Sequence, residues 1–158
     1  MNLFVGGRLA LRLLVIGAVA CLYAGHAEAQ INPNLQPTYG SVTLKSGFTP
    51  DPFSKQVVAG GPNETKLGGV KAFVANAPDF RLNYTAGSLP LTIHVESDAD
   101  TTLLINLPDG TWVADDDSGG KLNPLLRFAQ PQSGRYDIYV GTVSRGNPPA
   151  MLFITERK

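Results

Sequence analysis

Between residues 79 and 97, apolar and polar positions alternate. Phe80, Leu82 and Tyr84 are interleaved with Arg81, Asn83 and Thr85, and Leu91, Ile93 and Val95 with Thr92, His94 and Glu96. Successive side chains of a strand point to opposite faces, so each run predicts a strand with one buried face. Residues 101–107 are mostly apolar and suit a central strand. Pro108-Asp109-Gly110 marks a hairpin turn, because proline presets φ and glycine tolerates positive φ, and 111–114 is the return strand. Shorter strand candidates lie at 41–44, 56–59, 70–75, 125–129, 136–140 and 151–155. Turn clusters separate them at 47–52, 60–69, 131–134 and 145–149. No stretch after residue 30 keeps a helical period for as much as about three turns. With 17 Gly and 12 Pro in the chain, the pattern predicts an all-β fold. The expected form is a jelly-roll-like antiparallel β-sandwich of about eight or nine strands.

The first residues follow a different pattern. Arg8 and Arg12 precede the apolar run 13–25, and Ala27-Glu28-Ala29 is a small-x-small cleavage site. Residues 1–29 therefore read as a signal peptide. The apolar run is too short to span a bilayer unaided, and no later stretch could do so, so no membrane span is expected after cleavage. Lipoprotein processing at Cys21 is the alternative, but Ala18 stands where a large aliphatic residue is usual. Residues 30–40, with two prolines and two asparagines, read as an extended lead-in, and 41–158 as one β-sandwich domain. The expected location is periplasmic or extracellular. Cys21 is the only cysteine, so the remaining chain has no disulfide although its compartment would permit one. Asn63-Glu64-Thr65 and Asn83-Tyr84-Thr85 match the glycosylation sequon, a pattern short enough to arise by chance.

The chain has 13 basic and 13 acidic residues, and setting aside Arg8, Arg12 and Glu28 leaves 11 and 12. No basic patch is present to neutralise phosphates, so nucleic acid is not an expected partner. The acidic residues are unevenly spread: six aspartates fall within 98–120. If 108–110 is the turn, Leu103 lies opposite Asp115 and Thr101 opposite Asp117. Asp98, Asp100, Asp115, Asp116 and Asp117 then gather at one end of the hairpin. Asp109 sits at the other end, roughly 20 Å away at about 3.3 Å per residue, and reads as a turn residue only. Crowded carboxylates repel, and a hard cation such as Ca²⁺, which accepts about six to eight oxygens, resolves that repulsion. The absence of Cys and of clustered His disfavours zinc and copper. The alternative is that these aspartates are solvated loop residues that cap turns and block edge pairing.

Catalytic patterns fail on inspection. Asp117-Ser118-Gly119-Gly120 resembles the nucleophile turn of trypsin-like proteases, but Asp116 replaces the leading glycine and His94 is the single histidine beyond residue 29. A serine nucleophile needs a positioned base, and His94 reads as a surface strand residue. A glycosidase pair needs two carboxylates in different environments, and Gly119-Gly120-Lys121 lacks the flanking residues of a phosphate loop. Trp112 reads as core or rim packing, with a sugar-stacking platform as the alternative.

Taken in order, several motifs between about 79 and 155 carry a resemblance: Ser97-Asp98-Ala99-Asp100-Thr101, Pro108-Asp109-Gly110, 115–120, Leu122-Asn123-Pro124 and 132–141. With these the chain resembles the bacterial pre-peptidase C-terminal domain. The resemblance implies a jelly-roll-like sandwich, a non-catalytic role beside secreted peptidases, and in some members binding of calcium and matrix polymers. It implies Asp98, Asp100, Asp115, Asp116 and Asp117 as ligand candidates. Some similar chains carry a Cys pair where Val70 and Ala114 stand, and no peptidase domain precedes the module here. The expected function is a secreted, non-enzymatic, calcium-binding accessory module for an extracellular polymer or protein. A secreted peptide or glycan hydrolase and a structural envelope protein are the alternatives.

Overall fold

The structure is a computed structural model that describes residues 31–157. The expected signal segment, its cleavage site and Cys21 lie outside the described residues. The described chain forms strands β1 (Ser41–Lys45), β2 (Phe53–Val58), β3 (Asn63–Thr65), β4 (Ala72–Val74), β5 (Phe80–Thr85) and β6 (Leu91–Glu96). It continues with β7 (Thr101–Asn106), β8 (Trp112–Asp115), β9 (Leu125–Phe128), β10 (Gly134–Thr142) and β11 (Pro149–Thr155). The one helical feature is a single 3₁₀ turn at Leu67–Gly69.

The strands make two sheets, one of seven strands and one of four. In the larger sheet β10 is the axis. Its first half pairs with β5, and its last residue pairs with β4 on that same side. Its other side pairs with β7, which carries β8 beyond it. Strands β1 and β3 lie outside β5 and β4. The smaller sheet runs β2-β11-β6-β9. All pairs are antiparallel except β1–β5, which is parallel, a departure from the wholly antiparallel sheet expected. The reason is connectivity: three strands intervene between β1 and β5, so no tight hairpin forces them to run opposite ways.

The two sheets face each other across the main core. Phe80, Leu82 and Tyr84 of β5, Leu103 and Ile105 of β7, and Tyr136, Ile138 and Val140 of β10 meet Val57, Leu91, Ile93, Val95, Leu152 and Ile154. These are alternate residues of their strands, as the period-two reading requires. The strand over 63–65 was not legible in its polar sequence. It forms because β4 offers an edge, and the Asn63 side-chain amide donates to the Val74 carbonyl at 3.1 Å.

A second, smaller core covers the opposite face of the larger sheet. Ala72, Val74, Leu104 and Tyr139 are buried there, with Ile31, Leu67, Trp112 and Ala114 packed against them. Trp112 lies against Tyr139 with ring centroids 5.5 Å apart, so it packs rather than standing free. Every residue of β7 is consequently buried. The segment over 31–40 lies on this face and has no strand of its own. Arg81 donates to the Pro33 and Leu35 carbonyls at 2.7 and 2.9 Å, and to Asp137 at 2.6 Å. Arg135 pairs with the same carboxylate at 2.8 Å. Asp137 is 1% exposed and would be costly to bury alone; two guanidiniums compensate it.

Candidate functional site

The β7–β8 hairpin has the register read from the sequence. Leu103 pairs with Asp115, and the Leu107 amide donates to the Thr111 carbonyl at 2.8 Å across the turn. Asp109 accepts from the Thr111 amide and hydroxyl and from Gln132, and these bonds hold its carboxyl low, at about 2. It is a turn residue, as expected. At the other end β8 stops at Asp115, so Asp117 does not face Thr101; the Thr101 amide donates instead to the Leu122 carbonyl at 3.2 Å.

That stop divides the five aspartates. Asp115 accepts from the Ser118 amide (2.9 Å), the Ser118 hydroxyl (2.6 Å) and the Leu125 amide (2.9 Å). Its oxygens are engaged in folding the turn that follows. Asp100 lies near Asp117 and Asp116. Its carboxyl is pushed up, first by burial and then by the charges of Asp117 and Asp116. One Asp100 oxygen is buried without a hydrogen-bond partner. Asp98 is exposed and belongs to a different feature, the groove described below. Among the described residues, no three acidic, histidine or cysteine side chains converge closely enough to hold a metal ion as placed.

The turn after β8 is tightly determined. The Gly119 amide donates to the Asn123 carbonyl at 2.9 Å and the Asn123 amide to the Gly120 carbonyl at 3.1 Å. Asn123 Oδ1 accepts from the Ser97 amide at 3.0 Å, tying the turn to the end of β6. Lys121 and Leu122 both hold positive φ, at 54° and 63°. Two consecutive non-glycine residues in the left-handed region cost on the order of 1 kcal/mol each and persist only where surrounding bonds enforce them.

This turn is one wall of an open groove of about 970 Å³. The floor is the outer face of the smaller sheet: Gln56 of β2, Met151 of β11, His94 and Glu96 of β6, and Leu125 of β9. Register explains the grouping, since Met151 lies between Gln56 and Glu96, and His94 between Phe153 and Leu125. His94 stacks on Phe153 with ring centroids 4.9 Å apart and planes 12° apart. Burial lowers the His94 pKa, with Glu96 at 3.8 Å opposing the shift. Its Nδ1 is buried without a partner. Ser97 donates its hydroxyl to the Pro149 carbonyl at 2.9 Å, and the Ser118 hydroxyl is held by Asp115. Among the described residues no hydroxyl is bonded to His94, so His94 is not paired with a serine or threonine nucleophile.

Sequence reasoning placed His94 on the polar face of its strand but missed the groove. Met151 and Phe153 read as strand residues, and only the register of β11 on β6 sets them beside His94. Their alternation with Ala150, Leu152 and Ile154 was the available signal.

No protein-family model matches the chain, and no curated protein matches it. Among solved structures it is similar to the crystal structure of Aeromonas hydrophila PliG, a periplasmic lysozyme inhibitor of g-type lysozyme. The two are 16% identical with a TM-score of 0.38, over 73% of this chain and 96% of that one.

Proposed function

We propose that the protein is a secreted, non-catalytic binding module whose ligand lies in the groove on the outer face of the smaller sheet. The signal-like pattern over 1–29 supports secretion. The observation that carries the binding reading is the groove itself. It sets Met151 and Leu125 among polar groups such as Gln56, Glu96 and Asp98, and is walled by a strained turn that many hydrogen bonds hold in place. Recognition sites combine these features: a preformed concavity, apolar lining and a few placed polar groups. A serine hydrolase would need a histidine base in reach of the serine, whereas the Ser118 hydroxyl is bonded to Asp115 and no described hydroxyl is bonded to His94.

The test is a binding assay beside a turnover assay on casein and soluble polysaccharides. Binding without turnover, lost on Met151→Glu, is the expected result. Turnover that survives purification would sink this reading in favour of the hydrolase.

Calcium is a second proposal, restricted to the Asp100, Asp116 and Asp117 end of the hairpin. The orphaned, partly buried oxygen of Asp100 beside two further carboxylates favours it. Asp115 and Asp98 do not fit that set, the first being engaged by Ser118 and Leu125 and the second lining the groove. Any cation held there would neutralise carboxylates and stiffen the turn.

A further inference from the structure

We propose that the groove takes an extended protein segment that presents lysine or arginine beside an apolar side chain. This rests on the reading that the groove is the ligand site and names the class of ligand.

Charge is the first argument. Glu96 on the floor of the groove and Asp98 beside it are exposed, and among the described residues neither is paired with a lysine or arginine. Lys121 is the one lysine or arginine among the lining residues. The other cation of this sheet face, Arg127, lies two positions along β9 from Leu125 and reaches toward Thr92 at 3.4 Å. The groove end of the face therefore carries two carboxylates against one lysine, and the far end of β9 carries Arg127. Such a field attracts cationic partners and sets their direction along the face.

Shape is the second argument. A sugar ring packs its C–H face on an open aromatic face. Here His94 and Phe153 turn one face of each ring toward the other. Trp112, the sole tryptophan, lies against Tyr139 in the second core on the other sheet. What the floor does offer is the flexible, polarisable Met151 between Gln56 and Glu96, with Leu125 on the far side of β6. A methionine floor adapts to an apolar side chain of irregular shape. The apolar residue of the ligand would lie over Met151 and its cationic neighbour would reach Glu96 or Asp98.

The experiment is an NMR titration of the secreted chain with three probes: a blocked Arg-Leu-Arg-Phe-Arg peptide, its Glu-Leu-Glu-Phe-Glu counterpart, and chitohexaose. The cationic peptide should move the amide resonances of Glu96, Asp98, Lys121 and Met151. Its affinity should fall about tenfold in Glu96→Gln/Asp98→Asn, and fall again at high salt. Both substituted residues are exposed, so an unchanged thermal melt confirms that the variant is folded. Equal binding of the acidic peptide, or an unaltered affinity in the double variant, overturns the inference. If chitohexaose moves the same resonances and the cationic peptide does not, the charge inference falls and the binding-module reading stands. If no probe moves them, the inference is overturned too, and the binding assay on casein and polysaccharides then decides the broader reading separately.

Discussion

The two sheets are built from similar strands and end in different situations. The seven-stranded sheet is covered on both faces: the main core lies on one side and a second core with the 31–40 segment on the other. The four-stranded sheet has one face in the main core, and on its other face Met151, Phe153, His94 and Leu125 are only partly buried. Partly exposed apolar residues side by side on a sheet face are more informative than buried ones. The larger sheet's second face is closed by packing, and the smaller sheet's second face forms the floor of the groove that the proposed binding reading uses.

Substitutions on the two outer faces should therefore behave differently. Leu104, wholly buried in the second core, should cost about 2–5 kcal/mol in urea unfolding when changed to Ala. A loss near that of a surface residue would mean the second core is only a loose covering. Arg81→Leu should come next. It leaves Asp137 with Arg135 alone and frees the Pro33 and Leu35 carbonyls, at a cost in the region of 3 kcal/mol. Limited proteolysis should then cut within 31–40, where the parent protein resists.

Asp79 gives a pH signature to the same sheet. Burial raises its carboxyl to about 7, against the lowering effect of a 2.7 Å bond from the Val140 amide. The folded state thus holds this proton more tightly than the unfolded chain does. The stabilisation is fully present below about pH 4 and is lost as pH rises to about 7, by a few kcal/mol in order of magnitude. Asp79→Asn should remove that slope in unfolding free energy measured across the range. An unchanged slope would place the proton elsewhere. Calcium at millimolar concentration should raise the melting temperature by a few degrees over EDTA, as one bound ion in large excess over its Kd stabilises by about 2–3 kcal/mol. An unchanged melt would leave Asp100, Asp116 and Asp117 as solvated charges. The smallest effect belongs to the open face: Met151→Ala should change stability by less than about 0.5 kcal/mol while weakening ligand binding. A stability loss as large as that of Leu104→Ala would show that Met151 is structural and erase the contrast between the sheets.

Much of the architecture was legible locally. The alternation over 79–97 marked β5 and β6 and their inner faces, and the turn at 108–110 set the register that pairs Leu103 with Asp115. The reading of Asp109 as a turn residue followed from the same register. The carboxylate cluster was legible only as a neighbourhood. Three bonds to Asp115 and the end of β8 at that residue determine which aspartates meet, and those bonds come from residues up to ten positions away. The parallel β1–β5 pair and the docking of 31–40 were not legible, because both depend on partners about forty or more residues distant.

The sequence by itself determined the all-β class, the inward residues of the long strands and the hairpin register. Those follow from side-chain alternation and from turn residues that restrict φ, which act between neighbours. Only the tertiary structure decided that β11 lies beside β6. That single pairing sets Phe153 on His94 and Met151 beside Glu96, and so makes the groove. Alternation tells which residues share a face of one strand. Which strands share a sheet depends on how the whole apolar surface is best buried, and no short stretch of the chain carries that information.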